Sequence, residues 1–315
     1  MYLDKKFEKL FLNVSNRAAL SSYYFIGKKD KISADKAAVD AMRNELNKID
    51  MNGEIVIGEG ELDKAPMLYI GEKVGNKNGP DLDIAVDPLE GTNFVATNLP
   101  GALSVMAISE KNNLFKAPET YMEKISTKVK EKNVIDLDYS VKKNIFNLSE
   151  YLNKKPENLT ACILNRPRHN HIIDDLKKLK VNLKLISDGD VSGALLVTDS
   201  KYNVDIFLGT GGGPEGVLAA TALDAFNCNF QGRFLFVTDD DKIRAKKMGI
   251  KDLSRKYELN EIVSGDSIFC ASGITSGDLV SGIKIEGNKF ISETFVTHKS
   301  SGLKKVIKLK QNIKW

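Results

Sequence analysis

The C-terminal half of the chain repeats one pattern three times: a short apolar strand, a polar loop and a helix. Strands are predicted at residues 161–164, 181–186 and 204–208, and the helices after them at residues 172–179, 194–197 and 217–226. Because each helix returns the chain to the start of the sheet, this alternation predicts parallel strand pairing and an α/β fold. In such folds the functional side chains gather at the C-terminal ends of the strands.

The loops after these three strands carry different chemistry. Arg166 and Arg168 offer forked donors that suit phosphate, although solvent-facing loop arginines are the alternative interpretation. Asp188 and Asp190 offer acceptors for sugar hydroxyls or for a metal ion. The third loop, residues 209–216, is rich in glycine and ends in Pro214-Glu215-Gly216, so its backbone N–H groups can approach an anion. His169 and His171 are two residues apart, which makes a metal pair improbable and favours a surface or supporting role.

A second acidic segment follows a predicted strand at residues 82–86, where apolar side chains alternate with Asp83 and Ala85. The strand ends in Asp87-Pro88-Leu89-Glu90-Gly91-Thr92, in which Pro88 and Gly91 force a turn. Carboxylates this close repel each other unless a cation lies between them, and hard oxygen ligands suit Mg²⁺ or Mn²⁺ better than Zn²⁺. An ordinary solvated loop is the alternative for this turn taken alone.

The N-terminal segment contributes two further groups of acids. Helices are predicted over residues 3–26 and after Ser33, which is placed as the N-cap of the second helix. Asp35 then lies in the first turn of that helix, where complementing the helix dipole is the simpler explanation. A buried strand at residues 55–57 stops in Gly58-Glu59-Gly60-Glu61, where glycines allow a tight fold and the carboxylates project from the strand end.

The organisation between these segments is less regular. A strand at residues 102–108 is predicted to form a hairpin with residues 114–118, and Tyr121 follows closely. Residues 123–158 are rich in Lys and Asn, with a helix near 145–152, and are predicted to connect two lobes. The acids 239–241 are predicted to form a solvated run, and residues 287–309 to form closing strands. We therefore expect an N-terminal lobe at residues 1–157 and a C-terminal lobe at residues 158–315.

Composition excludes several functional classes. The 315 residues carry 46 basic and 42 acidic side chains, and this excess of +4 is too small and too dispersed to indicate a nucleic-acid partner. The three cysteines, Cys162, Cys228 and Cys270, are widely spaced, so neither a disulfide framework nor a zinc site is predicted. No apolar run approaches the length of a membrane span and no signal peptide is recognisable, which predicts a cytoplasmic protein without membrane partners.

Taken together, these motifs resemble those of a known family. Asp87-Pro88-Leu89-Glu90-Gly91-Thr92 resembles the D-P-[IL]-D-[GS]-[TS] motif of the lithium-sensitive, metal-dependent sugar and inositol phosphatases, with Glu90 in place of the second Asp. With four further groups of residues, the sequence is similar to the class II fructose-1,6-bisphosphatases of bacteria over residues 15–285. Those groups are residues 58–61 with 65–75, 166–169, 188–190 and 212–216.

The resemblance implies a two-lobed, layered α/β/α/β/α sandwich and assigns roles to matching positions. The implied ligands of two or more Mn²⁺ or Mg²⁺ ions are Asp35, Glu59, Asp87, Glu90 and Glu215. Thr92, with Asp35 and Glu59, would serve catalysis. The implied substrate contacts are Glu90, Gly91, Thr92, Tyr121, Arg166, Pro167, Arg168, Asp188, Gly189, Asp190 and Gly212. By this likeness the N-terminal lobe would bind metal and the C-terminal lobe the sugar phosphate.

The implied reaction is hydrolysis of the 1-phosphate of fructose 1,6-bisphosphate by a metal-activated water, a step of gluconeogenesis, in a homodimer or homotetramer. Sedoheptulose-1,7-bisphosphatase or dual activity is the alternative within the class. Gly211, Gly213 and Gly216 also satisfy G-x-G-x-x-G, with Asp239 after the next predicted strand, so a dinucleotide-binding oxidoreductase is a rival. A sugar-phosphate sensor without catalysis is the non-enzymatic rival.

Overall fold

A computed structural model describes residues 3–58 and 68–314. The helices are α1 Lys6–Tyr23, α2 Lys31–Leu46, α3 Thr92–Thr97, α4 Val141–Leu152, α5 Asn170–Lys178, α6 Asp190–Leu195, α7 Gly213–Ala225, α8 Asp239–Lys247 and α9 Leu259–Ile262. The strands are β1 Asn52–Ile57, β2 Lys73–Val74, β3 Asp81–Glu90, β4 Leu103–Glu110, β5 Tyr121–Thr127, β6 Thr160–Leu164, β7 Asn182–Ile186, β8 Ile206–Gly212, β9 Asn229–Leu235, β10 Lys256–Glu258, β11 Ser267–Gly273, β12 Lys284–Glu286, β13 Lys289–His298 and β14 Leu303–Asn312.

The chain divides into two compact units, and the first comprises residues 1–115 and 263–315. Its eight-stranded sheet has the order β12-β13-β11-β4-β3-β1-β2, with β14 paired to β13. Helices α1 and α2 pack together and against this sheet, so that Phe11 and Met42 lie in one core with Ile84 and Val86 of β3. Burial of the apolar face of each helix stabilises the unit and fixes the position of β3.

The second unit comprises residues 116–262 and has a six-stranded sheet of order β10-β9-β5-β8-β6-β7. Strand β6 pairs in parallel with β7 and with β8, whereas β5 is antiparallel to both β8 and β9. Because β6, β7 and β8 run the same way, the loops that follow them leave the sheet at one edge. The α/β class and the parallel pairing predicted from the repeated pattern are confirmed.

The division into units differs from the predicted boundary between residues 157 and 158, which falls inside the second unit. Strand β5 lies between β8 and β9, so residues 123–127, the first part of the segment predicted to connect two lobes, instead belong to a central strand. At the other end of the chain, β11 pairs with β4, and β13 and β14 continue that sheet. Pairing between segments that are distant in the sequence therefore sets the boundaries.

Two local predictions, a hairpin strand and a helix cap, need correction. Residues 114–118 do not form the returning strand of a hairpin, because the partners of β4 are β3 and β11. Asp239 and Asp240 are exposed, as predicted for a solvated run, and residues 239–241 open α8, where the Thr238 side chain accepts from the Asp241 N–H and the Asp241 side chain accepts from the Thr238 N–H. Asp30, not Ser33, caps α2, since the Asp30 Oδ1 accepts from the Ser33 N–H at 3.0 Å. The predicted closing strands within residues 287–309 are confirmed as β13 and β14.

Within the described residues no helix is both long enough and apolar enough to cross a bilayer.

Candidate active site

We use the name acid turn for Asp87–Thr92, which ends β3 and begins α3 in the first unit. The register between β3 and β4 shifts here, because Asp87 lies opposite Val105 and Glu90 opposite Leu103. The Leu89 N–H donates to the Asp87 Oδ1 at 3.2 Å, which fixes one carboxylate oxygen on the backbone of the turn. Glu90 is only 5% exposed, whereas Asp87 is half-buried.

Gly91 shapes the step from the acid turn into α3. Its φ of 80° is left-handed, and a Cβ at this position would lie 2.9 Å from the Phe94 ring, so both conformation and space require glycine. The Gly91 carbonyl accepts from the Phe94 N–H at 2.8 Å, which starts the helix. Thr92 is consequently the first helical residue, and its Oγ1 donates to the Leu89 carbonyl at 3.5 Å. Backbone contacts thus hold Asp87, Glu90 and Thr92 in one turn.

The other predicted metal ligands lie in different parts of the chain, and one of them is outside the described residues. Asp35 is half-buried on α2, and α2 packs against both α3 and β3 within the first unit. Glu59, with Gly60 and Glu61, lies outside the described residues. Glu215 belongs to the second unit, in the first turn of α7. Within residues 3–58 and 68–314, no group of three or more His, Cys, Asp or Glu side chains is arranged as a metal site. The ligand set therefore stays a prediction.

The donors of the acid turn fit a hard divalent cation by their chemistry. Carboxylates and a hydroxyl are the ligands that Mg²⁺ and Mn²⁺ prefer, and residues 87–92 contain no histidine or cysteine that would favour a softer metal. Residues 87–92 also contain no basic side chain. These properties agree with the predicted role of Asp87 and Glu90.

In the second unit, the predicted substrate residues gather at one sheet edge, and we use the name strand-end cluster for them. Arg166, Pro167 and Arg168 follow β6, Asp188, Gly189 and Asp190 follow β7, and Gly212 ends β8. Tyr121 joins them because it begins β5 directly opposite Gly212. Every predicted substrate contact of this unit is therefore brought to the same edge.

The two arginines are held differently. The Arg168 Nε donates to the Thr210 carbonyl at 2.9 Å, and its guanidinium lies 5.2 Å from the centre of the Tyr121 ring. The Arg166 Nη2 lies 3.7 Å from the Asp188 Oδ1, and both side chains are about two-fifths exposed. An exposed pair of this kind contributes little to stability, so Arg166 can exchange its partner for a phosphate. Arg168 is the better fixed of the two.

His169 links the loop after β6 to the end of β8. It is buried, its Nδ1 lies 2.7 Å from the Leu164 carbonyl, and its Nε2 accepts from the Thr210 N–H at 2.7 Å. These partners require a neutral ring protonated at Nδ1, and burial lowers the pKa of His169 below its ordinary value. Gly209, with φ of 148°, leaves room for the ring. The supporting role predicted for His169 agrees with this geometry, whereas His171 is exposed.

Two glycines of β8 allow carboxylates to lie against the strand end. A Cβ on Gly211 would overlap the Asp190 carboxylate, and a Cβ on Gly212 would overlap the Glu215 carboxylate. One N–H of this glycine run is already engaged, since the Gly213 N–H donates to the Thr120 carbonyl at 2.7 Å, and the predicted use of the run as an anion cradle stays a prediction. The glycines also admit negative side chains, which would repel the pyrophosphate of a dinucleotide.

Sequence reasoning missed Lys124, which lies beneath the strand-end cluster. Its side chain is 1% exposed, its Nζ forms an ion pair with Asp190, and the same Nζ donates to the Gly212 carbonyl at 2.6 Å. The only signal would have been strand alternation, which places Lys124 on the same face of β5 as the buried Met122. That signal was lost because residues 123–158 were interpreted as a connecting segment.

The carboxyl of Glu215 sits in a mixed electrostatic environment. Burial raises the pKa of Glu215, and the Asp190 and Asp188 carboxylates act in the same direction, while the Lys124 ammonium opposes them. A bound cation would favour the charged form of this carboxyl.

Comparison with known proteins identifies the family of the chain. The family model described as bacterial fructose-1,6-bisphosphatase, glpX-encoded, matches residues 5–311. A Trichodesmium erythraeum protein named D-fructose 1,6-bisphosphatase class 2/sedoheptulose 1,7-bisphosphatase is 39% identical, over 92% of this chain and 91% of its own length. A Thermosynechococcus vestitus protein of the same name is 42% identical, over 87% and 86%. The fructose-1,6-bisphosphatase 1 class 2 of Escherichia coli is 40% identical, over 91% and 89%.

Because this family model and these relatives are bisphosphatases and match most of the chain, the protein is a phosphoric monoester hydrolase. More narrowly, the chain belongs to the family of bacterial glpX-encoded fructose-1,6-bisphosphatases.

Proposed function

We propose that the protein hydrolyses the 1-phosphate of fructose 1,6-bisphosphate, giving fructose 6-phosphate and inorganic phosphate. The observation that carries this proposal is the acid turn, whose motif occurs in a chain that matches the bisphosphatase family over residues 5–311. Asp87, Glu90 and Thr92 lie at the end of a central strand of the first unit, held by the backbone. Strand ends of this kind are where α/β enzymes carry their active sites.

Asp35, Glu59, Asp87, Glu90 and Glu215 would hold two or more Mn²⁺ or Mg²⁺ ions. Bound at those carboxylates, the ions would stabilise the negative charge that builds on the phosphoryl and leaving oxygens. The Thr92 hydroxyl, positioned with Asp35, orients the attacking water toward phosphorus. The oxygen of that water bonds to phosphorus while the bond between phosphorus and the sugar O1 breaks, and the proton that the water gives up is balanced by protonation of O1 to the hydroxyl.

The strand-end cluster recognises the part of the substrate that does not react. Arg166 and Arg168 bind the remote phosphate, and Asp188 and Asp190 accept hydrogen bonds from sugar hydroxyls. Tyr121, Pro167, Gly189 and Gly212 complete the surface beside them, and Glu90 with Gly91 contacts the reacting end. Binding energy from the remote phosphate would help to orient the reacting one.

Sedoheptulose 1,7-bisphosphate is the second candidate substrate. The specific observation in its favour is that the Trichodesmium and Thermosynechococcus relatives carry both activities in their names. Both sugars are ketoses with a phosphate at each end, so the same groups can bind either. We further propose, from the resemblance, a cytoplasmic homodimer or homotetramer, which light scattering on the purified protein would test.

The test is phosphate release from each bisphosphate with Mn²⁺ or Mg²⁺, beside a control with EDTA. We expect release that depends on the divalent ion, and the ratio of kcat/KM between the two sugars identifies the preferred substrate. Fluorescence titration with NAD on the same sample addresses the oxidoreductase alternative. Absence of release from both sugars, in protein that unfolds cooperatively, would contradict the proposal, and tight sugar binding without release would favour the sensor.

A further inference from the structure

Among the residues that the structure describes, Lys124 is the only lysine or arginine that is fully buried. Removing an ammonium group from water costs several kcal/mol unless it is paired and hydrogen-bonded, and an apolar side chain of similar volume is often at least as stabilising. Stability alone is therefore a weak reason for a lysine at this position. The groups that Lys124 contacts suggest another reason.

Lys124 connects two of the loops that form the strand-end cluster. Its Nζ pairs with the Oδ2 of Asp190, the first residue of α6, and donates to the carbonyl of Gly212, the last residue of β8. Both residues are proposed substrate contacts. The ammonium therefore fixes two substrate-binding groups from below, without occupying the surface that they present.

The Asp190 carboxylate is held asymmetrically. Asp190 is 9% exposed, its Oδ2 is engaged by Lys124, and its Oδ1 has no hydrogen-bond partner among the described residues. A buried carboxylate oxygen without a donor is costly, and a sugar hydroxyl is a suitable donor. The ion pair on Oδ2 thus leaves the buried Oδ1 as the carboxylate oxygen of Asp190 that still lacks a donor among the described residues.

The stem of Lys124 reaches this position because α7 carries a glycine beside it. A Cβ on Gly216 would lie 3.3 Å from the Lys124 Cδ, which is closer than ordinary packing. The fold therefore makes room for a long side chain at this point and places its charge below the sheet edge.

We propose that Lys124 is a positioning residue for the sugar, acting through Asp190 and Gly212. This inference rests on the proposed function, because it needs a sugar bisphosphate bound at the strand-end cluster. Lys124 itself does not touch the substrate. It sets the direction of the Asp190 carboxylate and of the Gly212 carbonyl.

The test compares Lys124→Met with Lys256→Met in phosphate release from fructose 1,6-bisphosphate. Lys256 lies in the same unit and pairs with Asp136 and Asp138, so its replacement also removes a lysine from ion pairs. We expect KM to rise about tenfold in Lys124→Met with a smaller change in kcat, as for other residues that orient a binding group. Lys256→Met should keep the KM of the unmodified protein. Inorganic phosphate lacks the sugar, so its inhibition of Lys124→Met should differ by less than about twofold from its inhibition of the unmodified protein.

A double-mutant cycle with Asp190→Asn separates positioning from general destabilisation. If Lys124 acts through Asp190, adding Lys124→Met to Asp190→Asn should raise KM little further. If Lys124→Met does not fold, Lys124→Gln replaces it, with an expected rise in KM of about threefold, since one of two contacts is kept. An unchanged KM, or fully additive effects in the cycle, overturns the inference while the unmodified enzyme remains active. An inactive unmodified protein instead overturns the proposed function, and this inference with it.

Discussion

The acid turn of the first unit and the strand-end cluster of the second both follow the C-terminal ends of strands, but their carboxylates are arranged differently. In the acid turn, Asp87 and Glu90 come from one short segment without a basic residue, and a backbone N–H fixes Asp87. In the strand-end cluster, Asp190 is the first residue of α6, and Glu215 in the first turn of α7 lies beside the cluster, with a buried lysine close to both. The first arrangement suits a cation supplied from solution, whereas the second contains a cation of its own.

This difference separates the expected effects of substitutions. Changes in the acid turn should act on the dependence of the reaction on divalent ions and on kcat, because we propose its carboxylates as metal ligands and Thr92 as a catalytic group. Changes in the strand-end cluster should act on KM, because we propose its side chains as contacts to the non-reacting part of the substrate. The following predictions test this separation in order of expected size.

The largest effect is expected for Asp87→Asn, since a neutral amide binds a divalent ion more weakly than a carboxylate. We expect kcat to fall by about 10²–10³-fold and the concentration of Mn²⁺ needed for half-maximal activity to rise. Titration of phosphate release with Mn²⁺ measures both. Asp81→Asn is the matched control, because Asp81 is an exposed carboxylate at the other end of β3. A variant at Asp87 with unchanged rate and unchanged Mn²⁺ requirement would remove this residue from the ligand set.

A second effect on kcat is expected at Thr92. Thr92→Ala removes the hydroxyl proposed to orient the attacking water, so kcat should fall by about a hundredfold while KM changes by less than about twofold. Thr92→Ser keeps the hydroxyl and should recover most of the rate. Thr97→Ala, at the other end of α3, removes a hydroxyl that donates to the Asn93 carbonyl and serves as the control. Near-normal turnover of Thr92→Ala would exclude the proposed role.

The sequence predicted both regions, but from different kinds of pattern. The acid turn was predictable because its carboxylates, glycine and threonine are contiguous, and a proline and a glycine fix the turn. The loops after β6, β7 and β8 were predictable because strand and helix alternate there, and parallel strands bring their C-terminal ends together. Local patterns therefore identified the two strand-end regions, together with the α/β class.

What the sequence could not supply is the pairing of distant segments. Most of strand β5 was interpreted as part of a connection because residues 123–158 as a whole are rich in Lys and Asn, and only its position between β8 and β9 shows that Lys124 is internal. At residues 114–118 the error was to predict a strand. The segment that follows a strand after a short turn is its simplest hairpin partner, but β11, which lies far along the chain, pairs with β4 instead. Tertiary context overrode the local preference at both positions.

Gly212→Ala tests whether the strand-end cluster governs KM. A methyl group on Gly212 would overlap the Glu215 carboxylate, so the variant must displace Glu215 or the end of β8. We expect KM to rise about tenfold and the free energy of unfolding to fall by about 1–3 kcal/mol. Gly249→Ala is the control, since its methyl group meets no atom and only its φ of 91° opposes the change. Because Glu215 is also a proposed metal ligand, the Mn²⁺ requirement is measured beside KM, and a lower kcat with unchanged KM and unchanged Mn²⁺ requirement would contradict the separation between the two regions.

The smallest effect concerns His169, which stabilises the strand-end cluster only when its ring is neutral. Burial lowers the pKa of His169 below the ordinary value of 6.5, so the unfolded chain binds a proton at higher pH than the folded one. The stabilising contribution of His169 is therefore complete above pH 6.5 and is lost as the pH falls through the lower pKa of the folded protein.

We expect His169→Gln, measured by urea unfolding at pH 7 and pH 5, to lower the free energy of unfolding by about 1 kcal/mol at pH 7 and by less at pH 5. His171→Gln, an exposed histidine two residues away, should leave this pH dependence intact. Equal losses at both pH values for His169→Gln would mean that the ring is not kept neutral by the Leu164 carbonyl and the Thr210 N–H, and that its link between β6 and β8 depends on packing alone.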